Sequence, residues 1–209
     1  MIMNRFKKQI IMTPTKCGTV TLQIFYRTPG TDAERDRDTP GWQFHRMRHG
    51  MVLPQEVYDE LDKWNVMISV RHPVNRLLSL FQYNRGSGAW GAMREKSQGT
   101  FTEFVEAFFD IREAAGEPDE YAICRAPFIW MNNLTENCKY LGKVTALKQE
   151  KFAEMGITSH SNISKHRFVE KDEFAALPRE LLLKINEWAM PDIKTFGYEP
   201  KPWQLELLN

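Results

Sequence analysis

Two short segments constrain this chain more than anything else in it. The first reads Ile10-Ile11-Met12-Thr13-Pro14-Thr15-Lys16-Cys17-Gly18-Thr19-Val20-Thr21-Leu22. The second reads Val66-Met67-Ile68-Ser69-Val70-Arg71-His72-Pro73-Val74-Asn75-Arg76-Leu77-Leu78-Ser79. Each is an apolar run, then a polar turn, then the opening of a helix. A strand feeding a helix through a short turn is the repeating unit of α/β domains. Both turns carry cationic and hydroxyl side chains, Lys16 in one and Arg71 in the other. The pair points to a ligand with two separate anionic groups.

The remaining sequence fits the same plan. Residues 9–12 read as a buried strand, and a helix starts at Thr19 or Val20 and reaches about Tyr26. Residues 42–49 can alternate as a second strand, 54–63 read as a helix with Val57 and Leu61 on one face, and 66–70 form a third strand. Pro73 stands where a first-turn proline belongs, and residues 74–84 continue as a helix with Leu77, Leu78, Leu80 and Phe81 inward. Phe101, Phe104, Val105, Phe108 and Phe109 have helical spacing. Residues 139–144 read as a fourth strand, and helices follow near 149–155 and 180–189. Residues 28–41 form a solvated loop, and residues 86–99, rich in Gly and Ser around Trp90, are the best candidate for a substrate loop. Strands separated by helices predict one α/β domain over residues 1–209 with a mainly parallel sheet.

Composition narrows function by exclusion. The formal net charge is +1, so bulk attraction to nucleic acid or membrane is not expected, and anion binding must come from local placement of charge. The three cysteines, Cys17, Cys124 and Cys138, have no metal-ligand spacing, and an odd, sparse count fits a reducing compartment. Residues 1–9 are polar and basic and do not read as a signal peptide. No stretch approaches the ~20 apolar residues that span a bilayer. The expectation is a cytoplasmic protein without a membrane span. Asn133-Leu134-Thr135 and Asn162-Ile163-Ser164 match the glycosylation pattern but have no secretory context.

The first turn can act as an anion cradle. A helix start exposes unpaired N–H groups, Gly18 lets a backbone approach closely, Thr19 and Thr21 offer hydroxyls, and Lys16 adds a full charge. It is not a Walker A loop, because Lys16 precedes Gly18 and no earlier glycine opens the turn. The same residues also fit an ordinary strand–turn–helix junction with an exposed lysine. In the second segment Arg71 follows a strand directly, and ligands of open parallel sheets bind at that edge. Its planar fork suits phosphate. Ser79 lies about two turns into the following helix, within reach of a group held by Arg71 at ~1.5 Å rise per residue. Arg76, one turn earlier, reads better as a structural ion pair.

Taken together these residues resemble the sulfotransferase superfamily that uses 3′-phosphoadenosine 5′-phosphosulfate (PAPS). Pro14 to Thr21 matches that family's Pro-x-Lys-x-Gly-Thr-x-Ser/Thr turn, and Arg71 to Ser79 matches its Arg-Asp/Asn-Pro-x-x-Arg-x-x-Ser motif apart from His72. His160-Ser161-Asn162-Ile163-Ser164-Lys165, Asp192 and Phe196-Gly197-Tyr198 resemble the carbohydrate (Golgi-type) branch and its bacterial or viral relatives. The resemblance implies a P-loop-like three-layer domain with the sheet between helices. It implies that Lys16, Cys17, Gly18, Thr19, Val20 and Thr21 surround the 5′-phosphosulfate, that Arg71 and Ser79 hold the 3′-phosphate, and that Lys165 is a further contact. Two departures stand out. Val20 removes a hydroxyl often present there, and His72 is a poorer helix cap than Asp or Asn.

Sulfuryl transfer requires the acceptor to lose a proton and the leaving phosphate oxygen to be neutralised. Lys16 suits the second task. For the first, histidine is the natural candidate. His49, at the end of the second strand, fits the family's position for the base, with His45 in reserve and Glu56 as the carboxylate alternative. No metal is required. The acceptor, a hydroxyl or amine on a carbohydrate or small molecule, is not named by the sequence. Two alternatives stand beside this reading: a nucleotide-dependent kinase with a degenerate phosphate loop, and a non-catalytic nucleotide-binding module.

Overall fold

The chain opens with a hairpin. Strand β1 (Ile2–Asn4) pairs antiparallel with β2 (Gln9–Met12), with Ile2 opposite Ile11. Asn4 Oδ1 accepts the Lys7 N–H at 3.0 Å and Lys8 takes a left-handed backbone at φ 46°, which together reverse the chain. The elements that follow are α1 (Thr19–Phe25), β3 (Trp42–Phe44), α2 (Gln55–Asp59), a 3-10 turn (Leu61–Lys63), β4 (Asn65–Val70), α3 (Pro73–Gly86), α4 (Phe101–Ala114), α5 (Leu134–Asn137), β5 (Thr145–Lys148), α6 (Glu170–Ala175), α7 (Arg179–Phe196) and α8 (Pro202–Leu207). This computed structural model describes residues 2–14, 16–25, 42–44, 53, 55–86, 98–114, 134–137, 143–157 and 170–207.

Among the described residues the sheet has five strands in the order β3-β1-β2-β4-β5. β2, β4 and β5 are parallel, with Met12 opposite Ile68 and Val70 opposite Lys148. β1 is antiparallel to both of its neighbours. The domain is therefore α/β as expected, but its sheet is mixed and not mainly parallel. The cause is the hairpin: the basic character of residues 5–8 hides the apolar Ile2 and Met3, both fully buried in the sheet. The second strand forms over Trp42–Phe44 and sits at the far edge, against β1.

β4 has neighbours on both sides, and its last five residues are buried, as a strand covered on both faces requires. Its period-two pattern divides the core. Ile10, Met12, Val66, Ile68 and Val70 pack with Val57 of α2, Leu134 of α5 and Phe196 of α7. Ile2, Ile11 and Met67 pack with Leu22 of α1 and with Phe152 and Ile157 beyond β5. A third cluster joins the helices to one another. Phe81 of α3 meets Phe101 and Phe104 of α4 at 5.2 Å between centroids, Phe101 meets Phe174 of α6 at 5.1 Å, and Phe108 meets Trp188 of α7 at 5.5 Å. Tilted and edge-on pairs of this kind add to the burial of their area.

Several boundaries differ from the sequence reading. β5 begins at Thr145, just past the segment 139–144 expected to be a strand. Its residues are only half-buried at best, so no strong apolar run marked it. The helix expected over 149–155 is one 3-10 turn, Gln149–Lys151, followed by turns that end at Gly156 with φ 73°. The helix expected over 180–189 continues to Phe196 with Pro191 inside it, and stops where Gly197 takes the left-handed conformation at φ 60°. α8 was not expected.

One buried carboxylate ties α7 to α5. Asp192, fully buried, accepts the Leu134 N–H at 2.8 Å, the Thr135 N–H at 2.7 Å and the Thr135 hydroxyl at 2.8 Å. Burial raises its pKa, while those donors and the fully buried Arg76 guanidinium pull it down. Removing such a group leaves donors and a buried cation uncompensated. Asp192→Ala should cost about 3–5 kcal/mol in chemical denaturation, and Asp192→Asn distinctly less, since its amide oxygen still accepts. Equal losses in the two variants would show that the hydrogen bonds do not contribute.

Candidate functional site

Because β2 and β4 are adjacent and parallel, their carboxyl ends deliver both cationic turns to one edge of the sheet. The first turn is closed by its own backbone. Cys17 N–H donates to Pro14 O at 3.2 Å, and the Thr19 hydroxyl is within donating distance of Thr13 O at 3.1 Å and Pro14 O at 3.0 Å. Leu22 N–H then donates to Gly18 O at 2.9 Å and α1 begins. The Thr19 hydroxyl, an expected ligand donor, and the Cys17 N–H are thus engaged within the turn.

Gly18 also has a second reason to be glycine besides the one expected. Its φ is 84°, and a Cβ there would lie 2.6 Å from Phe152 Cε2. The left-handed backbone and the Phe152 ring exclude a side chain, so packing alone accounts for the residue. Cys17 is fully buried, and burial pushes its thiol up to about 12 against the opposing pull of Arg76. Its side chain belongs to the core, beside Met12 and Val70.

Lys16 is where the turn meets the rest of the edge. Its own backbone is left-handed at φ 63°, an uncommon state for a residue with a side chain. Its Nζ lies 4.3 Å from the centroid of the Tyr83 ring on α3, a cation–π contact worth about 0.5–2 kcal/mol. Burial, and then the Arg71 charge, lower its pKa to about 8. Arg71 therefore bears on the charge of Lys16. Ser79, half-buried, is one helical turn before Tyr83 on α3.

The second turn is braced from the carboxyl-terminal part of the chain. Val74 N–H donates to His72 Nδ1 at 3.3 Å, so His72 caps α3 in the role of the expected Asp or Asn. With Nδ1 accepting, Nε2 carries the proton and donates to Glu199 O at 3.1 Å. The His72 N–H donates to Glu150 Oε1 at 3.0 Å, and Tyr198 Oη donates to Glu150 Oε2 at 3.2 Å. Lys148 Nζ donates to Gly197 O at 2.6 Å and sits 4.6 Å from the Tyr198 ring centroid. Burial and Glu150 raise the pKa of the Tyr198 hydroxyl, so it remains a donor.

Lys16, Gly18, Thr19, Val20 and Thr21 thus share the sheet edge with Arg71, and Ser79 stands on the helix that follows. His45, His49 and Lys165 lie outside the described residues. β3 nonetheless runs in the same direction as β2, being antiparallel to β1 as β2 is, so its carboxyl end faces the same edge. Glu56 does not: it pairs with Arg5 at 2.7 Å in the β1–β2 turn, at the opposite end of β2 from Lys16. The carboxylate alternative for the base is set aside on that geometry. Sequence reasoning missed Tyr83, Lys148 and Glu150, and noted Tyr198 only as part of the resemblance. The third parallel strand, had its end been placed at Lys148, would have flagged two of them. Gln149 Oε1, whose Cγ lies against Gly18, is buried with no partner among the described residues.

No group of three or more His, Cys, Asp or Glu side chains among the described residues is placed to hold a metal, and no helix among them is long and apolar enough to cross a membrane. Comparison with protein-family models, curated proteins and solved structures gives no match.

The cap makes a prediction. His72→Ala should lower stability by about 1–2 kcal/mol, through loss of the cap acceptor and of the bond to Glu199. His72→Asn should recover part of that loss, because it restores an acceptor for Val74 N–H. Denaturant titration checks both; no recovery in the Asn variant would remove capping as the role of His72.

Proposed function

We propose that this chain is a sulfotransferase that moves a sulfuryl group from PAPS to a hydroxyl or amine acceptor, a carbohydrate or small molecule. One observation carries the reading. Lys16 and Arg71, on the ends of adjacent parallel strands, are close enough that each opposes the charge of the other. An edge of that kind is stabilised by a ligand bringing more than one negative group, and an adenosine bisphosphate does so. In this reading the fold is a P-loop-like three-layer domain over residues 1–209, with Val57 and Phe196 on one face of the sheet and Leu22 and Phe152 on the other.

Lys16 neutralises the charge that grows on the leaving phosphate oxygen. Backbone N–H groups from Gly18 to Thr21 hold the 5′ side, Arg71 and Ser79 hold the 3′-phosphate, and Lys165 is a further contact. His49, on the stretch after β3, takes the acceptor proton. The compartment that goes with the reading is the cytoplasm. The kinase alternative would want a magnesium-binding carboxylate at this edge. Among the described residues Glu150 meets the second turn, and it is engaged by His72 and Tyr198.

Calorimetry separates these readings. Adenosine 3′,5′-bisphosphate should bind without magnesium and about tenfold more tightly than ADP, the difference expected of one added charge-assisted phosphate contact. Equal or tighter binding of ADP, or a requirement for magnesium, would sink the sulfotransferase reading.

The pH dependence is a second test. Lys16 titrates at about 8 in the free protein, and a bound anion favours its charged form. Affinity for the bisphosphate should therefore fall as pH rises through about 8. Proton uptake should accompany binding near that pH. Lys16→Met should bind more weakly and lose this alkaline fall; the same fall in Lys16→Met would assign it to another group.

A further inference from the structure

The contact between Lys16 and Tyr83 joins the first turn to α3, the helix that the second turn opens, and no reading of the motifs requires it. Tyr83 lies outside both. Its ring is half-buried against the helical core, which fixes where its exposed face looks. The Lys16 ammonium rests on that face at 4.3 Å from the centroid. At the other end of the same side chain the backbone is held left-handed at φ 63° by a turn whose next residue is fully buried. A lysine has a long, flexible stem and normally loses much freedom when ordered. Here both ends of the stem are fixed before any ligand arrives.

We propose that Tyr83 is a positioning residue, whose ring face holds the Lys16 ammonium in place at the carboxyl edge of β2 and β4, ready for the anion that the site binds. The role it assigns rests on the sulfotransferase reading only in what that anion is. The contact opposes two influences that work against the Lys16 charge, burial and the neighbouring Arg71. The ring supplies negative quadrupole without a carboxylate, so it favours the cation yet does not compete as a counter-ion for the ligand's place. A Glu or Asp at the same position would neutralise Lys16 and weaken the site. Tyr83 is also one turn beyond Ser79 on α3, so movement of that helix would carry Ser79 and the Lys16 support together.

The test uses Tyr83→Phe, Tyr83→Leu and Tyr83→Met, alone and combined with Lys16→Met. Two readouts are taken: the titration of Lys16 followed by NMR of ¹³Cε-labelled lysine, and the affinity for adenosine 3′,5′-bisphosphate. Tyr83→Phe keeps a ring face and should match the wild type in both. The Leu and Met variants should shift the Lys16 titration to lower pH and weaken bisphosphate binding about fivefold, the scale of a partly desolvated cation–π contact. In the Lys16→Met background the same changes at Tyr83 should have no effect on binding. The proposal is overturned by an unshifted Lys16 titration in folded Tyr83→Leu or Tyr83→Met, or by equal loss of binding with and without Lys16. If the wild type does not bind the bisphosphate but the titration shifts as stated, the positioning role stands and the sulfotransferase reading fails.

Discussion

The parallel pairing of β2 with β4 is the constraint on which the rest of the structure depends. Its register, with Met12 opposite Ile68, fixes where each chain leaves the sheet. A two-residue slip along the strand would preserve which side chains face the core but move one turn ~6–7 Å relative to the other. Lys16 and Arg71 would then stand at a different separation. The apolar ladder thus sets the distance between two charges. Lys16 in turn rests on Tyr83, so its contact links the sheet edge to α3.

The positive character of this edge is reinforced from beneath. Arg76 is fully buried and acts on both the Cys17 thiol and the Asp192 carboxyl. A buried guanidinium is costly unless its surroundings compensate it. Its electrostatic partner, Asp192, is itself held by three donors from α5. Cys17 sits closer to the turn, and burial keeps its thiol neutral at ordinary pH. A thiolate there would cancel part of the field that the turn presents. The Cys17 side chain is therefore silent in charge, held in the core beneath the turn.

How much of this was legible in the sequence depended on how local the cause was. The segments around Lys16 and Arg71 were legible because strand, turn and helix start lie within a few residues of one another. So was the phenylalanine face of α4, where helical spacing and burial agree. β1 was not, since three residues carry too little pattern and their burial comes from pairing on both sides. The end of β5 was hidden because an edge strand that is only half-buried needs no apolar run. Gly18 shows a subtler limit. The residue was singled out for close approach of an anion, while a second reason, Phe152 in the space a Cβ would take, comes from far away in sequence. Pattern finds a position; only packing gives its reason.

His72 shows the same limit from the other side. As a departure from Asp or Asn it looked like a weakened cap. An Asp in that place would accept the Val74 N–H and do little more in that direction, because an ionised carboxylate has no proton to donate. The imidazole accepts through Nδ1 and donates through Nε2 to Glu199 O, a residue 127 positions away. The substitution therefore exchanges some strength in the cap for a tether. Glu150 receives the His72 N–H and the Tyr198 hydroxyl, and Lys148 holds Gly197, so the tether is made at three points. The segment after α7 is fixed onto the turn that carries Arg71. A turn that must present a cation against the repulsion of its neighbour gains from being held on both sides, and in this chain the second side is supplied by the segment that follows the last long helix.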